Sequence, residues 1–206
     1  MNDLQRYVIA CDFAARAHES QRRKNAAKTP YINHPLGVAR ILVENNVHDR
    51  STLIAAVLHD TVEDTPVSCE QILRNFGKDV LAIIVEVTDD KALPKYERKR
   101  LQVANAASKS RKAKRVKLAD KLYNCRSLME EPLPEWGVER IQGYFVWSRA
   151  VVIQMKGVLP GIDAELEKIF CKGTFNLGGV CHPCIPKDVD LDEALEAYYE
   201  LLKKEN

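Results

Sequence analysis

The sequence predicts an all-α fold, a single helical bundle of about 8–10 helices with an extra helix at its C-terminal end. Apolar residues recur at helical spacing along most of the 206 residues, as in Leu4, Tyr7, Val8, Cys11, Ala14 and Ala15. No stretch sustains the period-2 alternation, Asn-Gly turns or β-branched density of a sheet protein. Helix punctuation falls where the periodic segments end, with Pro35 in a first turn and Pro66 and Gly77 at stops.

The elements follow in order. Residues 4–18 form an amphipathic helix that carries His18 on its apolar stripe, where it reads as a core histidine orienting a neighbour. A polar stretch, 21–28, leads to a second helix from Pro35 with Val38, Ile41 and Leu42 inward. A third runs as one helix from about Arg50 to Thr65. Ser68 and Gln71 make a capping box for a fourth, which Gly77 ends. Val80, Ile83, Ile84 and Val87 mark the next, which stops at Asp89-Asp90. Two more cover 95–107 and 113–128, another carries Ile141, Tyr144, Phe145 and Val152, and a shorter one spans 166–170. The Gly- and Pro-rich residues 171–187 read as an irregular linker. Leu191, Ala194, Leu195, Tyr198 and Leu202 then give a last amphipathic helix that docks on the core. The expected division is a main domain over 1–170 and an appended segment over 171–206.

Composition narrows the function classes. An apolar content of 46% and a charged content of 29% suit a globular domain with one core. The net charge of +2 argues against a dedicated nucleic-acid binder but permits a local basic pocket. No apolar run approaches the roughly 20 residues of a membrane span, and Met1–Arg6 starts no signal-peptide core. Six scattered cysteines, at 11, 69, 125, 171, 181 and 184, point to a reduced, cytoplasmic protein rather than a disulfide scaffold.

The chemistry concentrates in Leu53-Ile-Ala-Ala-Val-Leu-His-Asp-Thr-Val-Glu-Asp64, where six apolar residues lead into one imidazole and three carboxylates. On a continuous helix His59, Asp60, Glu63 and Asp64 share one face within about 140°. Such a load at the end of a buried helix needs a cation to balance it. His34, before Pro35, and Asp120, in an apolar turn beside Asn124, supply further donors. The chain has five histidines, 18, 34, 48, 59 and 182, with none between His59 and Asp120. That scarcity predicts one metal ion rather than two. His34, His59, Asp60 and Asp120 offer mixed nitrogen and oxygen ligands that suit Mn²⁺ or a similar borderline cation. Glu63 and Asp64 then orient and deprotonate the attacking water.

His34, His59-Asp60 and Asp120 match the H…HD…D pattern, and the chain resembles the HD phosphohydrolase superfamily. His59-Asp-Thr-Val-Glu-Asp64 further resembles the HDxxED motif of RelA/SpoT-type hydrolase domains. Gln21–Lys24, Pro30–Pro35, Val87–Lys91 and Lys117–Asn124 extend the likeness, which is closest to the stand-alone small alarmone hydrolases of animals. It covers about residues 1–170. The resemblance implies an all-α fold and Mn²⁺-dependent removal of the 3′-pyrophosphate of guanosine 3′,5′-bis(diphosphate), with NADPH 2′-phosphatase activity as a second reaction. It also implies nucleotide contacts from Arg23, Lys24, Lys95, Asn124, Arg140 and Tyr144. Cations can neutralise the phosphates of such a ligand, and an aromatic or guanidinium plane can stack on its base.

Two other classes fit the same residues: a different HD-type enzyme, such as a 5′-nucleotidase, and a silent nucleotide-binding module. Lys109–Lys117 resembles a nucleic-acid patch but lacks interleaved aromatics and reads as a solvated helix start. Cys181-His-Pro-Cys184 is one C-x-x-C without a matching second pair, a weak zinc signal. Oligomeric state leaves no mark in the sequence.

Overall fold

The computed structural model describes residues 2–133 and 135–205. Eleven α-helices, one of them a single turn, account for most of these residues, with one two-stranded hairpin. The chain divides into two compact units: Met1–Arg23, Ala27–Asp89 and Lys109–Tyr123 form the first, and Lys24–Ala26, Asp90–Ser108 and Asn124–Asn206 the second.

In the first unit, α3 (Arg50–Leu58) is the centre. Asp49 caps it by accepting from Thr52 N at 3.0 Å, and Ile54, Ala55, Ala56, Val57 and Leu58 are fully or almost fully buried. A helix apolar all round belongs inside a fold; here α1 (Asp3–Ala17), α2 (Asn33–Glu44) and α6 (Lys78–Val87) surround it. α1 starts from an Asn2/Gln5 capping box and buries Ala10 and Ala14. α5 (Cys69–Phe76) starts from the expected Ser68/Gln71 box and stops at Gly77, whose φ of 88° favours glycine.

The helix expected to run unbroken over 50–65 is not one helix. α3 ends at Leu58, His59 and Asp60 form a turn, and α4 (Thr61–Asp64) adds one further turn. Side chains compete here for the carbonyls of α3: His59 Nδ1 lies 2.8 Å from Ala56 O, and Thr61 Oγ1 donates to Leu58 O at 2.7 Å. Asp60 stays near the helical region, at φ −95° and ψ −5°, so the chain tightens without reversing.

The second unit contains α7 (Lys95–Asn105), α9 (Val138–Ile153), α10 (Pro160–Lys172) and α11 (Leu191–Lys204). α9 packs against α7, α10 and α11, burying Ile141, Phe145 and Trp147. Helix α8 (Arg111–Glu130) contributes residues up to Tyr123 to the first unit and later ones to the second. The segment read as an irregular linker contains an antiparallel hairpin, β1 (Thr174–Leu177) and β2 (Val180–Pro183). Gly178 and Gly179 turn it with φ of 60° and 83°, the positive pair that a two-residue hairpin loop requires. Phe175 of β1 is buried and stacks on Phe145 at 6.3 Å between ring centroids. The last helix docks as expected: Tyr198 of α11 lies over Gly143 of α9, where a Cβ would come within 2.4 Å of the ring.

Candidate active site

Three helical elements of the first unit bring donors together. α2 presents His34 from its first turn, the end of α3 presents His59 and Asp60, and α8 presents Asp120. His34 Nε2 is 3.2 Å from Asp120 Oδ1 and 3.5 Å from Asp60 Oδ2. His59 Nε2 is 3.1 Å from Asp60 Oδ2 and 3.9 Å from Asp120 Oδ1. Ligand atoms of His34, His59 and Asp120 all lie within 4.8 Å of one another, and no other His, Cys, Asp or Glu group of this kind occurs among the described residues.

The donor chemistry fits a divalent cation. With Nδ1 of His59 directed at the Ala56 carbonyl, Nε2 is the nitrogen that would hold a cation, and that atom is buried with no hydrogen-bond partner. Burial pushes the His59 imidazole toward neutrality, but the carboxylates of Asp60 and then Asp120 outweigh it and raise its pKa to about 9. Burial raises Asp60 and Asp120 too, yet facing imidazoles, and Lys121 beside Asp120, hold both well below the usual carboxylate range. Lys121 Nζ donates to Asp120 Oδ2 at 2.9 Å.

Glu63 and Asp64 follow on α4. Glu63 accepts from the Asp89 backbone N–H at 2.9 Å. Burial, aided by the charges of Asp89, Asp60 and Asp64, raises its pKa against that hydrogen bond. A raised carboxyl beside a cation site is a fitting proton acceptor. Tyr31 Oη donates to Asp60 Oδ2 at 2.8 Å and lies 3.5 Å from Asp64 Oδ2. His18 is buried and orients a neighbour: its Nδ1 is 2.7 Å from Gln21 Oε1, and Gln21 Nε2 donates to the Asp64 carbonyl.

Gly37 was not singled out from the sequence, yet it sets the spacing of the centre. A Cβ on Gly37 would lie 2.1 Å from Tyr123 Cε2, so only glycine lets α2 and α8 approach this closely. Gly37 follows His34 by one turn and Tyr123 follows Asp120 by one turn, so this approach holds His34 against Asp120. The Tyr123 ring also packs on His34, with 4.8 Å between centroids. Arg23 lies over both Tyr31 and Tyr123, at 5.8 and 5.7 Å from their ring centroids. A helix-interior glycine one turn from a candidate ligand was the available signal; Tyr31 and Tyr123 lie inside the segments Pro30–Pro35 and Lys117–Asn124 that carry the likeness, but nothing there assigned them a role.

The remaining nucleotide-contact candidates, Lys24, Lys95, Asn124, Arg140 and Tyr144, belong to the second unit. Lys24 is exposed, and Asn124 and Tyr144 are half-buried. Tyr144 lies 5.9 Å from the Trp136 ring and 5.3 Å from the Trp147 ring. Arg140 is buried, and Lys95 and Arg140 meet at one carboxylate, that of Glu205. Of the zinc alternative, Cys184 is a buried thiol whose pKa burial pushes up to about 12, while Cys171 and Cys181 are exposed.

The HD domain family model matches residues 10–141. A Xenopus tropicalis protein named guanosine-3′,5′-bis(diphosphate) 3′-pyrophosphohydrolase MESH1 is 53% identical over 170 residues, covering 82% of this chain and 95% of that protein. The human protein of the same name is 51% identical over 170 residues, with the same coverage. A solved structure described as a metazoan ortholog of SpoT that hydrolyzes ppGpp aligns with a TM-score of 0.79 at 46% identity. That alignment covers 80% of this chain and 93% of the other. No helix among the described residues is long and apolar enough to cross a membrane.

Proposed function

The chain belongs to the HD domain family, and from that membership we propose that it hydrolyses guanosine 3′,5′-bis(diphosphate) to GDP and pyrophosphate with one Mn²⁺. The observation that carries the reading is the donor set itself. The two imidazoles of His34 and His59 face the carboxylates of Asp60 and Asp120 in four nitrogen–oxygen pairs 3.1–3.9 Å apart, with the buried Nε2 of His59 left without a hydrogen bond. Relatives that share 46–53% of the sequence bear the name of this activity. Mixed imidazole and carboxylate ligands favour Mn²⁺ over the thiolate-rich zinc type.

When bound, such a cation offsets the charge of the phosphate oxygens and makes water more acidic. The protein's own residues do the rest. Glu63 and Asp64 orient a water molecule and take its proton, and the raised pKa of Glu63 suits that role. The water oxygen bonds to the phosphorus on the ribose 3′-oxygen, the bond from phosphorus to that oxygen breaks, and the ribose oxygen leaves with a proton as the 3′-hydroxyl. Tyr31 holds Asp60 by its hydroxyl, and Gln21, set by His18, holds the α4 backbone at Asp64. Arg23, Lys24, Lys95 and Arg140 supply charge for the phosphates, and Asn124 and Tyr144 contact the nucleoside. We assign this chemistry to residues 1–170 and treat 171–206 as an addition to it. The cytosol, where free thiols stay reduced, is the matching compartment.

The test is a product assay of the purified protein with Mn²⁺ against guanosine 3′,5′-bis(diphosphate) and NADPH, both of which present a phosphorylated ribose. Pyrophosphate from the first is the expected result, and inorganic phosphate from the second would add the 2′-phosphatase reaction. Release of phosphate from simple mononucleotides alone would favour a 5′-nucleotidase, and no release from any substrate would refute the enzyme.

A further inference from the structure

Arg140 stands in the first turn of α9 and is 4% exposed, an unusual burial for a guanidinium. Its Cζ lies 4.5 Å from the Trp136 ring centroid and 4.9 Å from that of Tyr198, so aromatic faces cover the plane and leave its edge for polar partners. Along that edge Nε forms an ion pair with Glu205 Oε1 at 2.7 Å, and both Nε and Nη1 are buried without a well-aligned hydrogen bond. The other oxygen of the same carboxylate, Oε2, is 2.9 Å from Lys95 Nζ. One acid thus bridges two cations, an oxygen to each, in the manner of a phosphate group between Lys and Arg.

Helix energetics do not place Glu205 there. It is the C-cap of α11, where the helix dipole disfavours a carboxylate and prefers the lysines at 203 and 204. What brings it to Lys95 and Arg140 is the docking of α11, through Tyr198 on Gly143 and the ion pair of Glu196 with Arg100. α11 also lies outside the 10–141 span of the family match.

We propose that Glu205 is an intramolecular stand-in for a phosphate: docked α11 places its carboxylate on the Lys95–Arg140 pair, and phosphorylated substrate must displace it to bind there. The contact is autoinhibitory, raising KM without altering the hydrolytic step. It rests on the reading above that Lys95 and Arg140 receive substrate phosphate.

The experiment compares steady-state kinetics of the full chain, Glu205→Gln and Lys95→Gln, with Mn²⁺ and guanosine 3′,5′-bis(diphosphate), and adds inorganic pyrophosphate as a competing inhibitor. Glutamine preserves the shape of the residue while removing the charge, and a chain ending at Lys204 repeats the same change by deletion. The expected result is a KM lowered roughly fivefold in Glu205→Gln, the scale of one partly exposed ion pair, with kcat unchanged and pyrophosphate inhibition tightened to match. Lys95→Gln raises KM. If Lys95→Gln raises KM but Glu205→Gln and the shortened chain leave KM and inhibition unchanged, Glu205 is only a structural clamp and the proposal fails while the substrate reading stands. If Lys95→Gln leaves KM unchanged, the reading of that cation as a phosphate contact fails, and the proposal fails with it.

Discussion

Gly37→Ala adds one methyl group in the tightest part of the candidate metal centre. The new Cβ would meet Tyr123 Cε2 at 2.1 Å, against about 3.4 Å for ordinary contact, so helix or ring must move by roughly 1.3 Å. The Tyr123 ring has little room to yield, because it packs on His34 and lies under Arg23. Displacement of α2 therefore falls on His34, one turn away, whose Nε2 sits only 3.2 Å from Asp120 Oδ1. Overpacking of this kind costs about 1–3 kcal/mol of stability, which a folded domain tolerates. A ligand moved by about 1 Å from its working position costs on the order of 10²-fold in rate. The expected outcome is a variant that folds, with a modest loss in melting temperature, but shows weakened Mn²⁺ binding in calorimetry and a severe loss in kcat/KM. Wild-type Mn²⁺ affinity and turnover in Gly37→Ala would refute the argument that the α2–α8 approach sets the ligand spacing.

His59→Ala and Asp64→Ala each abolish turnover of guanosine 3′,5′-bis(diphosphate); Asp64→Ala keeps Mn²⁺ binding by calorimetry, and robust product release from either variant contradicts the assigned roles. Tyr31→Phe removes the hydroxyl that donates to Asp60 at 2.8 Å, and loss of such a supporting bond lowers metal affinity roughly 10–100-fold; an Mn²⁺ titration with unchanged affinity counts against it. Chelation stops turnover, and readdition of Mn²⁺ restores it together with thermal stability, about 2.7 kcal/mol at a hundredfold excess over Kd; a melting temperature indifferent to Mn²⁺ would show that the donors do not hold it. Gly143→Ala puts a Cβ 2.4 Å from Tyr198 Cδ2, so the melting temperature falls by the equivalent of about 1–3 kcal/mol while Mn²⁺ affinity, set in the first unit, does not change.

The helices were legible because each carries a local record of its own packing. The apolar run Leu53–Leu58 announces a buried helix, and Ile54–Leu58 prove 0–2% exposed while Leu53 is half-buried. Ser68 and Gln71 announce a start that needs nothing beyond four consecutive residues. The break at His59–Asp60 was not legible for the converse reason. Both residues keep backbone angles near the helical region, so hydrophobic period passes through them undisturbed, and only the side-chain bonds to Ala56 and Leu58 carbonyls mark the change. The hairpin was hidden in composition. Leu177-Gly178-Gly179-Val180 is a two-residue turn between paired residues, but so short a pair of strands shows no alternation to set against the surrounding glycines and prolines.

The centre was legible through its chemical expense. Acids and imidazoles inside apolar helical turns have few explanations, so His34, His59, Asp60 and Asp120 stand out even though 86 residues separate the first from the last. Their supporting residues did not stand out, because a tyrosine or glycine in a helix is ordinary until its partner is known. The meeting of Lys95 and Arg140 at Glu205 was less legible still, since a lysine or arginine carries no periodicity that separates a shared ion pair from a solvated charge. The structure also shows why the expense is sustainable. Burial alone would neutralise His59, yet Asp60 and Asp120 raise its pKa to about 9, so the cluster attracts positive charge strongly enough to hold a proton against desolvation. A divalent cation and that proton are alternative answers to the same surplus of negative charge, and the cation is the better one because two imidazoles and two carboxylates can share it. Lys121 satisfies Asp120 through Oδ2 and leaves Oδ1 to the centre, while Tyr31 donates to Asp60 Oδ2, the oxygen that also faces His34 and His59. Each acid turns a single oxygen, Asp60 Oδ2 and Asp120 Oδ1, toward both imidazoles, a convergence that pairing with one partner would not require.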